Sequence, residues 1–241
     1  MDAQIQLGEH TVAYRVRRSP RRRTIAIALD PREGLIVYSP MRVSAEGLRE
    51  FLQDKARWIL SNAKKLEEAK ARAPALTWEP GGDLPFRGGR VPLRLEPGAL
   101  CAEVVWEAER VVVRTPPEDG LLPEAGRIRE LVVAWLREQA AAHLAARVEV
   151  FAARLDVQPR RVGVRDQKRR WGSCSAHGVL NFNWRLILAP EEVLDYVVVH
   201  ELCHLKELNH SPRFWSWVQS ILPDYGTARG WLRHNGMLLD I

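Results

Sequence analysis

The chain has 241 residues, with 36 Lys and Arg against 30 Asp and Glu, for a formal charge of +6. Apolar residues make up 46% and charged residues 27%, the balance of a soluble globular protein, and nine tryptophans demand a core, so disorder is excluded over most of the length. No apolar stretch approaches the roughly 20 residues of a membrane-spanning helix, and the opening MDAQIQLGEH lacks the basic start and apolar run of a secretory signal.

In chain order, the first 40 residues alternate with a period of two over 11–16, 24–29 and 35–38, separated by turn signals at Ser19-Pro20, Asp30-Pro31 and Gly34. This predicts a small antiparallel sheet. Ser44 reads as the N-cap of one helix running to about residue 70, with Leu48, Phe51, Leu52, Trp58 and Ile59 on its apolar face. Residues 76–115 return to strand character, with turns at Gly81-Gly82, Gly88-Gly89 and Pro97-Gly98. The run Pro116-Pro117-Glu118-Asp119-Gly120 is the strongest linker signal, so the chain is read as a β-rich accessory domain over 1–120 and a second domain over 121–241.

The second half opens with a helical pattern from about 123 to 155 that Pro159 is expected to end. Short strands follow at 161–165, 170–175 and 179–184, the last two joined at His177-Gly178. Pro190-Glu191-Glu192 starts a helix expected to run to Leu208, and Ser211-Pro212 starts another. No internal repeat is visible. The class is α+β. Cys101, Cys174 and Cys203 form no CxxC pair and leave an odd one over, which predicts reduced thiols and a cytoplasmic protein.

Charge is even between the halves but locally crowded: Arg15, Arg17, Arg18, Arg21, Arg22 and Arg23 fall within nine residues. The functional reading is contact with nucleic acid phosphates. The plainer one is a solvated hairpin turn around Ser19-Pro20.

The segment His200-Glu201-Leu202-Cys203-His204, with His210 beyond it, spells HExxH-x5-H. Residues four apart share a helix face, so His200 and His204 present two imidazoles to one point, a spacing that suits zinc. Glu201, turned by about 100° from His200, stands beside the metal and can take a proton from a zinc-bound water. In a chain of this composition HExxH arises by chance roughly once in sixty, and with a histidine six places on roughly once in two thousand. An unbroken helix would carry His210 about 9 Å along the axis, so the helix must stop. Asn209 is a tolerated left-handed residue at that corner. A metzincin is disfavoured, because Glu207 replaces the glycine of HExxHxxGxxH and no convincing Met-turn follows.

Taken with Arg170-Trp171-Gly172-Ser173-Cys174-Ser175, Gly178, Leu180-Asn181 and the NHSPRFW that follows HELCH, the sequence resembles the YgjP-like zinc metallopeptidases, related to SprT-like and WLM proteases of the zincin superfamily. The resemblance implies one zinc held by His200, His204 and His210, Glu201 as general base, a gluzincin-like helix-over-sheet core, and peptide or protein substrates.

The strand carrying Leu180, Asn181 and Asn183 is expected to form the lip of the cleft, where an extended peptide pairs with a sheet edge. Tyr225, Arg229 and His234 are candidates for stabilising the oxyanion. Cys203, Trp215 and Trp217 read as packing residues, and Cys174 as a small packing residue beside the site. Two rivals to the zinc peptidase stand: a nucleic-acid-associated protease acting on DNA-bound proteins through the arginine cluster, and a structural zinc domain without catalysis.

Overall fold

Two stretches of four strands, each followed by helix, account for the first two thirds of the chain. The computed structural model describes residues 2–30, 33–72, 76–116, 124–167 and 170–241. The linker signal over 117–120 therefore lies outside the described residues.

In the first stretch, β1 (Asp2–Leu7), β2 (His10–Ser19), β3 (Ala26–Asp30) and β4 (Gly34–Pro40) pair in the order β1-β2-β4-β3. β1 was not among the predicted strands, although Ile5 and Leu7 alternate into the core as a half-buried strand requires. β2 and β4 run parallel while both outer pairs are antiparallel, so the sheet is mixed and not antiparallel as expected. Ser19-Pro20 is accordingly no hairpin: the chain leaves β2 there, crosses to the far edge and returns as β3, because parallel neighbours need a crossover. Leu35, Ile36 and Val37 are buried in succession, as befits an inner strand packed on both faces.

The helix predicted over 44–70 is two helices, α1 (Ala45–Asp54) and α2 (Ala56–Arg72), with Lys55 off helical geometry between them. Ser44 caps α1 by accepting from the Gly47 amide. Leu48, Leu52 and Ile59 pack against Ile5, Leu7, Tyr14, Leu35 and Val37. Trp58 lies one position off that stripe and is 44% exposed, so it does not belong to the core face expected for it.

The second stretch repeats the first. β5 (Asp83–Phe86), β6 (Gly89–Pro97), β7 (Glu103–Glu107) and β8 (Arg110–Thr115) pair in the order β5-β6-β8-β7, again with a parallel inner pair. Even the register corresponds. Leu7 faces His10 where Phe86 faces Gly89, and Tyr14 faces Leu35 where Leu93 faces Val111. The topology is thus an internal repeat that residue identities conceal.

The chain divides into two compact units, residues 1–74 with 234–240, and residues 75–233 with 241. The strands of 83–115, grouped by sequence with the first half, lie in the unit that carries the chemistry. There α3 (Ala125–Leu155) buries one stripe from Ile128 through Trp135, Leu136 and Leu144 to Leu155. It ends on a left-handed Asp156, with φ of 51°, three residues before Pro159. A small sheet follows, made of β9 (Arg161–Arg165), β10 (Gly172–Cys174) and β11 (Val179–Asn183) in the order β10-β11-β9. A 3-10 helix over Trp184–Leu188 leads into α4 (Glu191–Cys203), then α5 (Pro212–Ile221), α6 (Tyr225–Asn235) and a 3-10 turn over Gly236–Leu239. With six α-helices and three small sheets among the described residues, the fold is α+β.

Two contacts fix α4 in place. The β5–β6 turn donates from the Arg87 and Gly88 amides to the carbonyls of Ile187 and Leu188. Gly88 has φ of +79°, and a Cβ there would stand 2.7 Å from Pro190 Cα, so only glycine fits against the start of α4. Farther along, Asp195 of α4 accepts two bonds of 2.6 Å from Arg147 of α3, whose guanidinium also lies over the Phe151 ring. Replacing Asp195 by Ala leaves that guanidinium without its main partner in a largely buried setting. The expected loss is about 3 kcal/mol in urea unfolding, with Asp195→Asn losing less.

Candidate metal centre

α4 owes its burial to its sequence: every residue from Val193 to Val199 is buried, and so are Glu201, Leu202 and Cys203. A helix hydrophobic all round sits inside the unit, and its histidines come with it. It stops earlier than expected, at Cys203, with His204 as C-cap and tight turns closing through Leu205, Lys206 and Glu207. Leu208 therefore lies outside it and is 67% exposed. Asn209 does not take the left-handed conformation expected of it. Its side-chain Oδ1 instead accepts from the Ser211 amide, and Ser211 Oγ in turn accepts from the Phe214 amide to cap α5.

This reversal returns His210 to the helix it left. His210 Nε2 lies 3.0 Å from His200 Nε2, and ligand atoms of His200, His204 and His210 all fall within 4.8 Å of one another. Among the described residues this is the one group of three or more His, Cys, Asp or Glu side chains able to hold a metal. Burial first, then the neighbouring histidines and Arg229, push the His200 imidazole down to about 3, so it stays neutral, the form that ligates metals. His204 is also held down, chiefly by burial. Its Nδ1 is 3.1 Å from the Glu207 carbonyl, a bond that fixes the tautomer and leaves Nε2 free for a metal. The donor set fits a zinc ion: three imidazoles on one point, one oriented from behind.

Beneath them is Phe214, fully buried, with its ring centroid 4.6–4.9 Å from those of all three histidines. Trp215 stacks on His210 at 5.7 Å and on Tyr225 at 5.3 Å, and Tyr225 stacks in turn on Tyr196. Tyr196 is one turn before His200 on α4, within 5.8 Å of its ring. Sequence reading missed both Phe214 and Tyr196. The four-residue spacing from Tyr196 to His200 was the available signal for the second.

Glu201 is 6% exposed, and burial raises its carboxyl to about 7, against the pull of Arg170. It rests on Gly172 of β10, where an added Cβ would stand 2.5 Å from Oε1 and 2.6 Å from Cγ. The glycine in Trp171-Gly172-Ser173 is therefore the space that the glutamate occupies. Cys174, two residues on, shares that face, and burial together with the Glu201 charge pushes its thiol up. Cys203 is fully buried and its thiol is pushed up to about 12, in keeping with a packing role.

The strand expected at the lip of the cleft is not an edge. β11 is the central strand, and β10 forms the edge beside Glu201. Leu180 and Asn183 are buried, and Asn181 shares its face with Ser173 and Gly163, the face opposite Gly172. Asn183 donates to the Gln167 and Arg170 carbonyls and accepts from the Arg185 amide, so its polar atoms already have partners. Its amide also bonds the Trp171 carbonyl at 2.8 Å, which anchors the approach to Gly172. Of the residues considered for the oxyanion, Tyr225 and Arg229 stand in or against the aromatic stack, whereas His234 belongs to the other compact unit.

The arginine cluster is largely engaged. Arg15 and Arg17 bind Glu33, Arg18 donates to the carbonyls of Pro40, Met41 and Val43, and Arg22 lies over the Tyr38 ring. These bonds hold the first sheet and the approach to α1.

A family model described as YgjP-like, metallopeptidase domain, matches residues 23–235. The chain belongs to the YgjP-like metallopeptidase family. It is a peptidase, and its substrates are peptides or proteins. The crystal structure of the metallopeptidase zymogen abylysin of Pyrococcus abyssi is similar at 24% identity, over 37% of this chain and 93% of that one, with a TM-score of 0.35. No curated protein matches the chain. None of the helices among the described residues is long and apolar enough to cross a membrane.

Gly172→Ala tests the packing of the glutamate. The added methyl displaces the carboxylate, so a drop in kcat of about 100-fold is expected while metal content stays at the wild-type level. Metal analysis and peptide hydrolysis on one preparation check both halves.

Proposed function

We propose that this YgjP-like peptidase is zinc-dependent, with one ion per chain held by His200, His204 and His210 and with Glu201 as general base. The observation that carries the reading is the return of His210 to within 3.0 Å of His200, beside a buried carboxylate. A structural zinc site closes with a fourth protein ligand, whereas three histidines leave a position open, which favours catalysis. A zinc ion held by the three histidines would supply Lewis-acid chemistry, polarising the scissile carbonyl and lowering the pKa of water.

The chain's own residues then have separable tasks. Glu201 takes the proton of the attacking water and delivers it to the leaving amine. Gly172 and the Asn183 bonds hold the carboxylate in place for that transfer. Phe214 keeps water from beneath the imidazoles. β10, the short edge strand beside Glu201, offers unpaired main-chain groups to an extended substrate, so recognition through it is tolerant of sequence. The three cysteines are unpaired, which supports a reducing compartment such as the cytoplasm.

Elemental analysis of wild type is expected to give one zinc per chain, with a marked loss in His210→Ala. Glu201→Gln should keep its zinc and lose hydrolysis. A metal-free wild type, or full activity in Glu201→Gln, would overturn the assignment.

A further inference from the structure

One cation beside the histidine cluster has, among the described residues, no acidic partner. Arg229 follows Tyr225 by one turn of α6, so both project from the same side of the helix. Its guanidinium lies 4.7 Å over the Trp215 ring, and Trp215 stacks on His210. Arg229 is thus one aromatic ring away from a metal ligand. Its charge is felt at both His200 and Tyr196.

Of the other arginines of this unit that lie over rings, four have an oxygen as well, whereas Arg87 over Phe86 has, among the described residues, no carboxylate either. Arg147 has Asp195, Arg137 and Arg185 share Asp166, and Arg154 has the Ile221 carbonyl. Arg229 has the ring and, among the described residues, no carboxylate. Arg170 is the cation that acts on Glu201. Two cations thus act on the centre, Arg229 on His200 and Arg170 on Glu201. A guanidinium that rests over a tryptophan ring without a carboxylate has N–H donors to offer an anion. That is a poor arrangement for stability and a good one for receiving an anion.

We infer that Arg229 receives a carboxylate of the substrate, so that this peptidase selects peptides carrying an acidic side chain or a free chain end next to the scissile bond. The inference rests on the peptidase reading above, and it names the substrate class for the same centre. Tyr196 and Tyr225 form the wall along which the carboxylate-bearing residue lies.

The test separates binding from turnover. Zinc-loaded Glu201→Gln protein, alone and with Arg229→Gln or Arg229→Glu, is titrated with two labelled peptide pairs, and anisotropy reads the affinity. One pair differs only as internal Glu against Gln, the other only as a free C-terminus against its amide. The carboxylate form of at least one pair should bind about tenfold or more tightly. Arg229→Gln should erase the preference and Arg229→Glu should reverse it. The pair that responds tells a side chain from a chain end.

Equal affinity within both pairs, no binding at all, or a preference that survives Arg229→Gln would overturn the inference. So would a loss of turnover on Arg229→Gln that is the same for acid and amide peptides, since that pattern belongs to a donor for the developing oxyanion. If acid-selective binding is found but zinc-loaded wild type cleaves none of the peptides, the peptidase reading fails and the anion site stands.

Discussion

Everything in the centre depends on a reversal of direction within six residues. A helix can bring His200 and His204 to one point, but it carries position 210 away along its axis. The chain resolves this by ending α4 at Cys203, tightening through Glu207 and capping a new helix at Ser211, and each step satisfies backbone groups that the break exposes. The Glu207 carbonyl freed by the turn is the group that orients His204. The corner that brings in the third imidazole thus also sets the tautomer of the second.

The second requirement is to keep a carboxylate dry without a salt bridge. Among the described residues Glu201 has no cation in hydrogen-bond contact; it has space, provided by the missing side chain of Gly172. Position 172 is held in turn by Asn183, whose amide groups tie the carbonyls of Gln167, Arg170 and Trp171 to β11. Polar residues on the far face of the small sheet therefore govern the near face. That explains why Asn183, although next to the chemistry in sequence, has no free atom to offer a substrate.

How much of this was legible depended on range. Local signals read well: the Ser44 and Ser211 caps, the long stripe of α3, and β9 to β11, since each is written within a few neighbouring residues. Features decided by distant partners did not. The parallel pairing of β2 with β4 depends on a crossover that alternation cannot encode. The repeat of the first sheet in the second survives in register while its side chains differ, Gly8 standing where Arg87 stands and Leu7 where Phe86 does. The VLNFN strand looked like an edge because its polar alternation resembles one, and only the partners on both sides show that it is central. Phe214 carried no signal of its own, being one apolar residue in the first turn of an apolar-faced helix.

The close fit of Gly88 against Pro190 bears on when the molecule becomes active. These residues stand about a hundred positions apart, and the Arg147–Asp195 pair spans 48, so α4 is seated only after distant parts of the unit have come together. A nascent or partly unfolded chain can form a stretch of helix bearing HExxH, yet it lacks the docked hairpin, the returned His210 and the niche for Glu201. With His210 and Glu201 in the roles proposed for them, assembly of the whole unit is a condition for hydrolysis, so that such a peptidase stays inert toward itself and its neighbours until its own folding is complete.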